Sequence, residues 1–309
     1  MESKIPIIAA PMNQVSDANL AIACHRAGIM PSISFLNFVD KDTHTCDFES
    51  FLRDVEYFTS STNTNKLIIS VSSKTLLRKG IQDQVVKYFN KIKFSHLEII
   101  LTERLEFTNK KLTQNDKDLF DSIEEALKSL PKVKIMYKAL DVYSIIQIAK
   151  YTEFIDCYVL KSNKGAGTIS NYTSNIYESI NLFKTECPGK EIIASGGIST
   201  AKEIKKCIKA GAKAVAIGTL FAFAKESKIS NESKKVMIQK NKNDLDIISG
   251  YQNGVVFNKL EKDDSNNTFS LIEGIKSPHK GHLFAGHGLN NITNILSVQE
   301  IVDKLWPKK

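Results

Sequence analysis

The sequence alternates short, apolar, β-branched runs with helix-period segments over roughly its first 220 residues, and this alternation constrains the fold most. Candidate strands lie near residues 5–10, 29–34, 66–72, 96–102, 133–139, 154–161, 191–195 and 213–218. Runs such as 192–194 and 214–217 are apolar throughout, which indicates a parallel sheet covered by helices on both faces. Eight strand–helix units predict an α/β fold of the (β/α)8 or TIM barrel type. A doubly wound open sheet is the alternative.

Helix start signals support this alternation. Ser16 and Asp141 each precede an apolar helix-period segment and are predicted N-caps. Thr200 begins a capping box, Thr-Ala-Lys-Glu, and Gly211 marks the end of that helix. A second capping box, Ser-Val-Gln-Glu, begins at Ser297 and predicts a final helix that packs back on the barrel.

The chain divides into three predicted parts. Residues 1–236 form the barrel, whereas residues 237–280 lose the strand–helix alternation and are polar, Asn-rich and turn-prone. We expect this inserted segment to form a cap or lid, part of a C-terminal appendage near the barrel mouth. Residues 281–309 regain order and are expected to return to the barrel.

Composition excludes several classes of protein. The 309 residues are 42% hydrophobic and carry a net charge of +8, from 42 basic and 34 acidic residues. Because the lysines are spread over predicted helix surfaces, we expect no nucleic-acid partner. The five cysteines form no CxxC pair, which favours reduced thiols, and no metal site is visible. Since neither a membrane span nor a secretory leader is found, we expect a cytoplasmic protein without membrane contact.

Two glycine-rich loops lie where barrels of this kind hold phosphate, after strands seven and eight. The first reads Ser195-Gly196-Gly197, and the second reads Gly218-Thr219. Their main-chain N–H groups, the free N–H groups of the following helix and the hydroxyls of Ser195 and Thr219 predict a cradle for a dianion. The alternative is that these glycines only turn the chain.

Five segments resemble one known family. They are IPIIAAPM (5–12), VLKSNKGAGT (159–168), IIASGGIST (192–200), AVAIGTLFAFAKES (214–227) and FAGHGLNNI (284–292). Their order and spacing are similar to those of the nitronate monooxygenases, formerly called 2-nitropropane dioxygenases. The likeness spans most of the chain and is weakest over residues 40–130 and 237–280. The ASGG and IGT pieces occur in many phosphate-binding barrels, whereas the APM start together with the AGHG tail makes the resemblance specific.

The resemblance implies an FMN-dependent (β/α)8 barrel. Together with the predicted cradle, it gives as cofactor-binding residues Ala10, Pro11, Met12, Gly165, Ala166, Gly167, Ser195, Gly196, Gly197, Gly218 and Thr219. Met12 would lie against the isoalloxazine ring, or it fills the core as methionine often does. Gly165, Ala166 and Gly167 would form the loop over the flavin and its phosphate.

The sequence departs from the family's pattern where that pattern carries a histidine base. The family's loop reads Gln-Gly-x-Glu-Ala-Gly-Gly-His, whereas this chain has Lys161 at the glutamine position and Thr168 at the histidine position. A threonine hydroxyl holds a substrate oxygen but is too weak a base near neutral pH. Lys161 either favours the anionic reduced ring or extends to solvent, and the same alternatives hold for Lys138. The candidate catalytic residues are therefore Lys161, Thr168 and His287, the last of which lies in the AGHG motif.

The leading hypothesis is a flavoprotein oxidoreductase, similar to nitronate monooxygenase, that oxidises a small molecule with oxygen as the acceptor. One alternative is an NAD(P)H-dependent reductase of an enoyl thioester on an acyl carrier. Another is a flavin- or phosphate-binding barrel without catalysis, which the loss of the histidine favours. The sequence names neither the substrate, which loop side chains select, nor the oligomeric state.

Overall fold

The computed structural model describes residues 5–40, 43, 45–101, 107–108, 111–139, 141–168, 175–248, 252–256, 271–279 and 281–307. It confirms the (β/α)8 barrel. The eight barrel strands, numbered in chain order, are β1 Ile7–Ala9, β2 Ser32–Ser34, β3 Ile68–Ser72, β4 His96–Ile100, β5 Lys134–Ala139, β6 Cys157–Lys161, β7 Glu191–Ser195 and β8 Ala214–Ile217. Each strand lies within its predicted run.

The strands form one parallel, closed ring. Their order around it is β1, β8, β7, β6, β5, β4, β3 and β2, so that successive strands lie side by side. A parallel bridge between Ile8 and Met30 joins β1 to the chain entering β2. There the Ala9 amide donates to the Met30 carbonyl at 2.9 Å. This closure excludes the doubly wound open sheet, which keeps two unpaired edges.

Helices alternate with the strands and cover the outside of the barrel. Their bounds are Ala18–Arg26, Phe48–Thr62, Ser73–Leu76, Gln82–Phe89, Gln114–Lys128, Val142–Tyr151, Ile176–Glu186, Ala201–Lys209, Thr219–Ala222, Asn231–Met237, Leu271–Lys276 and Val298–Leu305. They bury an apolar face, as Phe51, Val55 and Phe58 of the second helix do. In the part of the chain that the structure describes, no helix has the length and apolar character needed to cross a membrane.

Most of the predicted helix caps are confirmed. Asp141 caps the helix that follows it, and the capping boxes of Thr200 and Ser297 are both formed. The prediction that Ser16 caps the first helix is wrong, because Asp17 is the N-cap and its side chain accepts from the Leu20 amide at 3.0 Å. The Ser16 hydroxyl instead holds the loop after β1 through backbone contacts.

Side chains of the barrel strands alternate between the helix layer and the interior. The outward set joins the main hydrophobic core beneath the helices. The inward set is a separate small cluster that includes Met136 and Val159. Lys138 and Lys161, two residues further along the same strands, therefore lie on the inward face as well. Towards the carboxyl ends of β5 and β6, the barrel interior thus carries charge.

The chain after β8 folds onto the loops at the barrel mouth. Strands Asp246–Ile248, Gln252–Val256 and His282–Phe284 form an antiparallel sheet, and the two-residue strand Gly167–Thr168 joins it by pairing with Gln252–Val256. The turn-prone segment 237–280 therefore contains regular structure that its polar composition did not indicate. That this segment acts as a cap stays a prediction. Its residues 249–251, 257–270 and 280 lie outside the described residues.

Candidate functional site

Two predicted loops pack against each other at the carboxyl end of the barrel: the β6 loop, residues 162–167, and the β7 loop, residues 196–200. If a Cβ atom were added to Gly196, it would lie 2.8 Å from the Ser162 carbonyl oxygen. A Cβ added to Gly197 would lie 2.5 Å from Lys164 Cβ. Both glycines also have left-handed φ angles, +94° and +74°. Contact and backbone conformation therefore both require glycine at these positions.

The β7 loop offers unused amide donors. The amides of Gly197 and Ile198 have no acceptor within the described part of the chain. Those of Ser199 and Thr200 both donate to the Glu203 carboxylate, at 2.9 and 3.0 Å. The capping carboxylate thus uses the two amides that precede the helix Ala201–Lys209, whereas the amides of its first two residues, Ala201 and Lys202, have no acceptor among the described residues. The donors that remain for an anion are therefore the amides of Gly197 and Ile198 and those of the first helical turn.

The loop after β8 converges on the same region. It leads from Gly218 into the short helix Thr219–Ala222. The Thr219 hydroxyl accepts a hydrogen bond from the Gly286 amide at 3.0 Å and so keeps its own proton for another acceptor. A Cβ on Gly288 would lie 3.2 Å from Ser199 Cβ and 3.8 Å from Thr219 Cβ. The β7 and β8 loops thus meet at one C-terminal segment, as the predicted cradle requires.

This C-terminal segment, the tail (residues 286–288), also packs against the β6 loop. The His287 amide donates to the Lys164 carbonyl at 2.9 Å. A Cβ on Gly286 would lie 2.6 Å from the same oxygen and 2.8 Å from the carbonyl carbon of Gly165. Burial, and then Lys164 and Lys242, lower the pKa of the half-buried His287. Its ring is therefore neutral at neutral pH.

The end of β1 completes the wall beside the β8 loop. A Cβ on Gly218 would lie 3.5 Å from Met12 Sδ and 3.9 Å from Ala10 Cβ, so these residues lie together. Asn13, which follows Met12, buries its Oδ1 without a hydrogen-bond donor among the described residues. Asn13 was not among the residues predicted from the sequence, although its position directly after the APM motif was an available signal.

Lys161 ends β6 and turns beneath the β6 loop. Its Nζ donates to the Ala166 carbonyl, and its Cε lies 2.9 Å from the position of a Cβ on Gly165. The structure thereby decides against the alternative in which this side chain extends into solvent. Burial, and then the positive charge of Lys138, lower the pKa of Lys161 to about 7, while Glu98 has the opposite effect. Near neutral pH the group is therefore divided between ammonium and neutral amine.

Lys138 is also turned inward, where it forms a buried ion pair. Its Nζ lies 2.6 Å from Glu98 Oε1, and the two side chains are 10% and 1% exposed. Glu98 belongs to β4 and Lys138 to the adjacent strand β5. Glu98 was not among the residues predicted from the sequence. The available signal was a charged residue in the otherwise apolar end of the strand HLEII, because carboxylates are almost never fully buried unless they are paired.

Two further predicted residues, Thr168 and Ser195, lie next to the β6 loop and Lys161 in the strand pairing. Thr168 pairs through its backbone with Gln252, where the hairpin after β8 joins the β6 loop. Ser195 ends β7 opposite Lys161 in the strand register. All five cysteines are free thiols. Among the side chains that the structure describes, no cluster of three His, Cys, Asp or Glu could hold a metal ion.

The C-terminal part of the chain matches a family model. Residues 185–308 match the model described as nitronate monooxygenase. This part contains β7, β8, the two loops that follow them and the tail. The match confirms the resemblance that the motifs predicted.

A curated relative is similar over a shorter stretch. The catalytic subunit of dihydroorotate dehydrogenase B (NAD(+)) from Thermoplasma volcanium is 37% identical over 131 residues. The match covers 36% of this chain and 43% of the relative. The chain thus spans less than half the length of this curated relative.

Solved structures are similar over nearly the whole chain. A point mutant of FabK from Thermotoga maritima gives a TM-score of 0.73 at 16% identity, over 98% of this chain and 92% of that one. Nitroalkane oxidase from Streptomyces ansochromogenes gives a TM-score of 0.70 at 14% identity, over 98% and 95%. At such identities the likeness concerns the fold alone.

Proposed function

We propose that this chain, whose residues 185–308 match the nitronate monooxygenase family model, is an FMN-dependent oxidoreductase. It oxidises a small organic molecule and passes the electrons to oxygen. The observation that carries the proposal is the pair of unused amides at Gly197 and Ile198, next to the β8 loop and the tail. When bound, FMN supplies the redox chemistry, while the protein binds the substrate, orients it against the flavin and tunes the electronic properties of the ring.

The donor set of the β7 and β8 loops fits a phosphate group. Main-chain amides in a glycine-rich loop are common phosphate ligands, and the Thr219 hydroxyl can donate beside them. The Glu203 carboxylate accepts from the amides of Ser199 and Thr200, so the amides of Gly197 and Ile198, which precede them in the loop, would hold the phosphate. Gly196 and Gly218 allow the backbone to approach, and the Ser195 hydroxyl is a further donor.

The end of β1 and the β6 loop would hold the flavin ring. Met12 provides apolar contact beside Ala10 and Pro11, and the orphaned Asn13 Oδ1 provides an acceptor for a ring N–H. On the other side, Gly165, Ala166 and Gly167 offer backbone without bulky side chains. Lys161 lies beneath that loop, where its ammonium form favours negative charge on a reduced ring.

Thr168 and His287 belong to the substrate side of this proposal. A threonine hydroxyl at position 168 holds a substrate oxygen by hydrogen bonding. His287 is anchored to the β6 loop through its backbone amide, and its neutral ring is able to accept a proton.

Cofactor binding tests the proposal directly. The purified protein is expected to show flavin absorbance or to take up FMN on reconstitution. Riboflavin, which lacks the phosphate, should bind at least about 100-fold more weakly, because hydrogen bonds to a charged group contribute about 1.5–3 kcal/mol each. A protein that binds no FMN refutes the proposal, and equal binding of FMN and riboflavin refutes the phosphate cradle.

A glycine substitution tests the β7 loop. In Gly197→Ala the new Cβ would lie 2.5 Å from Lys164 Cβ, so the loop must move, and we expect the Kd for FMN to rise at least about tenfold. Gly189→Ala is the matched control, because Gly189 also has a left-handed φ of +85° but has nothing within 4 Å of an added Cβ. If both variants bind FMN as the wild type does, the phosphate does not lie at the β7 loop.

A pyridine nucleotide as electron donor is the second candidate. The observation that favours it is the 37% identity to a protein whose name includes NAD(+). Reduction of an enoyl thioester with NAD(P)H is one reaction of this class. Rapid anaerobic bleaching of the flavin by NADH or NADPH would support it, whereas bleaching only by the organic substrate would support the oxidase.

A further inference from the structure

Three charged side chains lie on consecutive strands inside the barrel: Glu98 on β4, Lys138 on β5 and Lys161 on β6. Glu98 and Lys138 are joined by a 2.6 Å ion pair. Lys161 forms no salt bridge to any carboxylate that the structure describes, and its Nζ donates to the Ala166 carbonyl. One buried carboxylate thus faces two lysines.

This arrangement makes the ammonium form of Lys161 unfavourable. The carboxylate is already engaged by Lys138, so a second positive charge has no counterion at contact distance, and charge without a partner is costly in a buried site. The pKa of Lys161 is lowered by burial first and by Lys138 second, while Glu98 raises it. On its other side Lys161 faces the uncharged Ser195 of β7, and Lys138 and Glu98 are the charged groups that act on it.

The same amine lies under the loop where the family's histidine is replaced. Lys161 Nζ is 3.8 Å from the position of a Cβ on Gly167, the residue that precedes Thr168. Since a threonine hydroxyl is a poor base, the site lacks a proton acceptor at its usual position. A neutral amine held beneath the loop is able to supply one.

We propose that Lys161 is the general base that removes a proton from a carbon atom of the substrate, and that burial together with Lys138, which engages Glu98, keeps it unprotonated. This inference rests on the proposed oxidoreductase function. In the step, the substrate C–H bond breaks, its electron pair stays on the substrate, and the proton forms a new N–H bond at Nζ. The substrate class is therefore a neutral carbon acid, with a nitro or carbonyl group beside the C–H bond, because a preformed anion needs no base. The ammonium returns its proton to solvent between turnovers.

The protonation state is tested by NMR with carbon-labelled lysine, on the FMN-free and the FMN-reconstituted protein. Lys161→Met assigns the Lys161 signal, which should titrate near pH 7. Lys138→Met should raise that pKa by about one unit or more, since it removes a positive neighbour and frees Glu98 to face Lys161. If Lys138→Met does not fold, the double variant Glu98→Gln, Lys138→Met replaces it. In this variant the pKa of Lys161 should rise by less than in Lys138→Met, because the carboxylate that raises it is also removed. Lys134→Met is the control, because Lys134 is exposed at the other end of β5 and should leave it unchanged.

The chemical role is tested with nitroethane and its conjugate base, ethyl nitronate. Lys161→Met should lower oxidation of nitroethane about 10²- to 10⁴-fold and that of ethyl nitronate less than about tenfold. Equal losses on both probes, or a wild type that oxidises only the nitronate, would overturn the proposal. A protein that binds FMN with a Lys161 pKa above about 9 refutes the base alone. One that binds no FMN refutes the oxidoreductase and with it the base, even if Lys161 still titrates near pH 7.

Discussion

Gly286→Ala should separate the tail from the β6 loop. The added Cβ would lie 2.6 Å from the Lys164 oxygen and 2.8 Å from the Gly165 carbonyl carbon, whereas atoms in contact normally lie about 3.5–4.0 Å apart. Both neighbours are backbone atoms, so no rotamer change relieves the overlap. The φ of Gly286 is −102°, an ordinary value, so the effect is steric and not conformational.

The expected loss follows from these contacts. Overpacking of this kind costs about 1–3 kcal/mol. The displacement also strains two hydrogen bonds, from the Gly286 amide to Thr219 and from the His287 amide to Lys164. At about 2–4 °C per kcal/mol, Tm should fall by about 2–12 °C. Since the Thr219 hydroxyl belongs to the proposed phosphate cradle, the Kd for FMN should rise at least about tenfold.

Thermal unfolding and FMN titration measure the two effects. Gly189→Ala serves again as the control, because its Cβ meets nothing within 4 Å and only backbone strain remains. It should lower Tm slightly and leave FMN affinity unchanged. A Gly286→Ala protein with the Tm and the FMN affinity of the wild type would show that the tail does not close on the β6 loop.

Other predictions concern stability. Glu98→Gln leaves Lys138 buried without its partner and should cost about 3–5 kcal/mol in urea unfolding, whereas the double variant Glu98→Gln, Lys138→Met should recover most of that loss. The folded-state pKa of Lys161 is below its unfolded value of about 10.4, so the unfolded chain binds more protons between these values. Stability relative to Lys161→Met should therefore rise from about pH 7 to about pH 10, and a difference that is flat with pH would contradict the lowered pKa. Ser297→Ala removes a helix cap and should cost about 1 kcal/mol without changing FMN affinity, which a change in affinity would contradict.

Features encoded by neighbouring residues could be predicted from the sequence. The eight strands follow from short apolar runs, and the caps at Asp141, Thr200 and Ser297 follow from residue types a few positions apart. The cap of the first helix was misplaced by one position because Ser16 and Asp17 are both good N-caps, and which one serves depends on the path of the β1 loop. The hairpin after β8 was missed because its strands are short, lie in a largely polar segment and pair with the distant residues Gly167–Thr168.

The charge pattern inside the barrel could not be predicted, because it depends on contacts across strands. Glu98 and Lys138 are 40 residues apart in sequence and become partners only when β4 and β5 lie side by side in one register. From the sequence, the same two alternatives held for Lys138 and Lys161, and only Lys161 was predicted to be catalytic. Their environments differ because the single carboxylate of Glu98 forms an ion pair with Lys138 and leaves Lys161 without a counterion. The residue that most changes the expected chemistry of Lys161 is therefore Lys138, whose position is fixed by Glu98 on a strand that no functional motif marks.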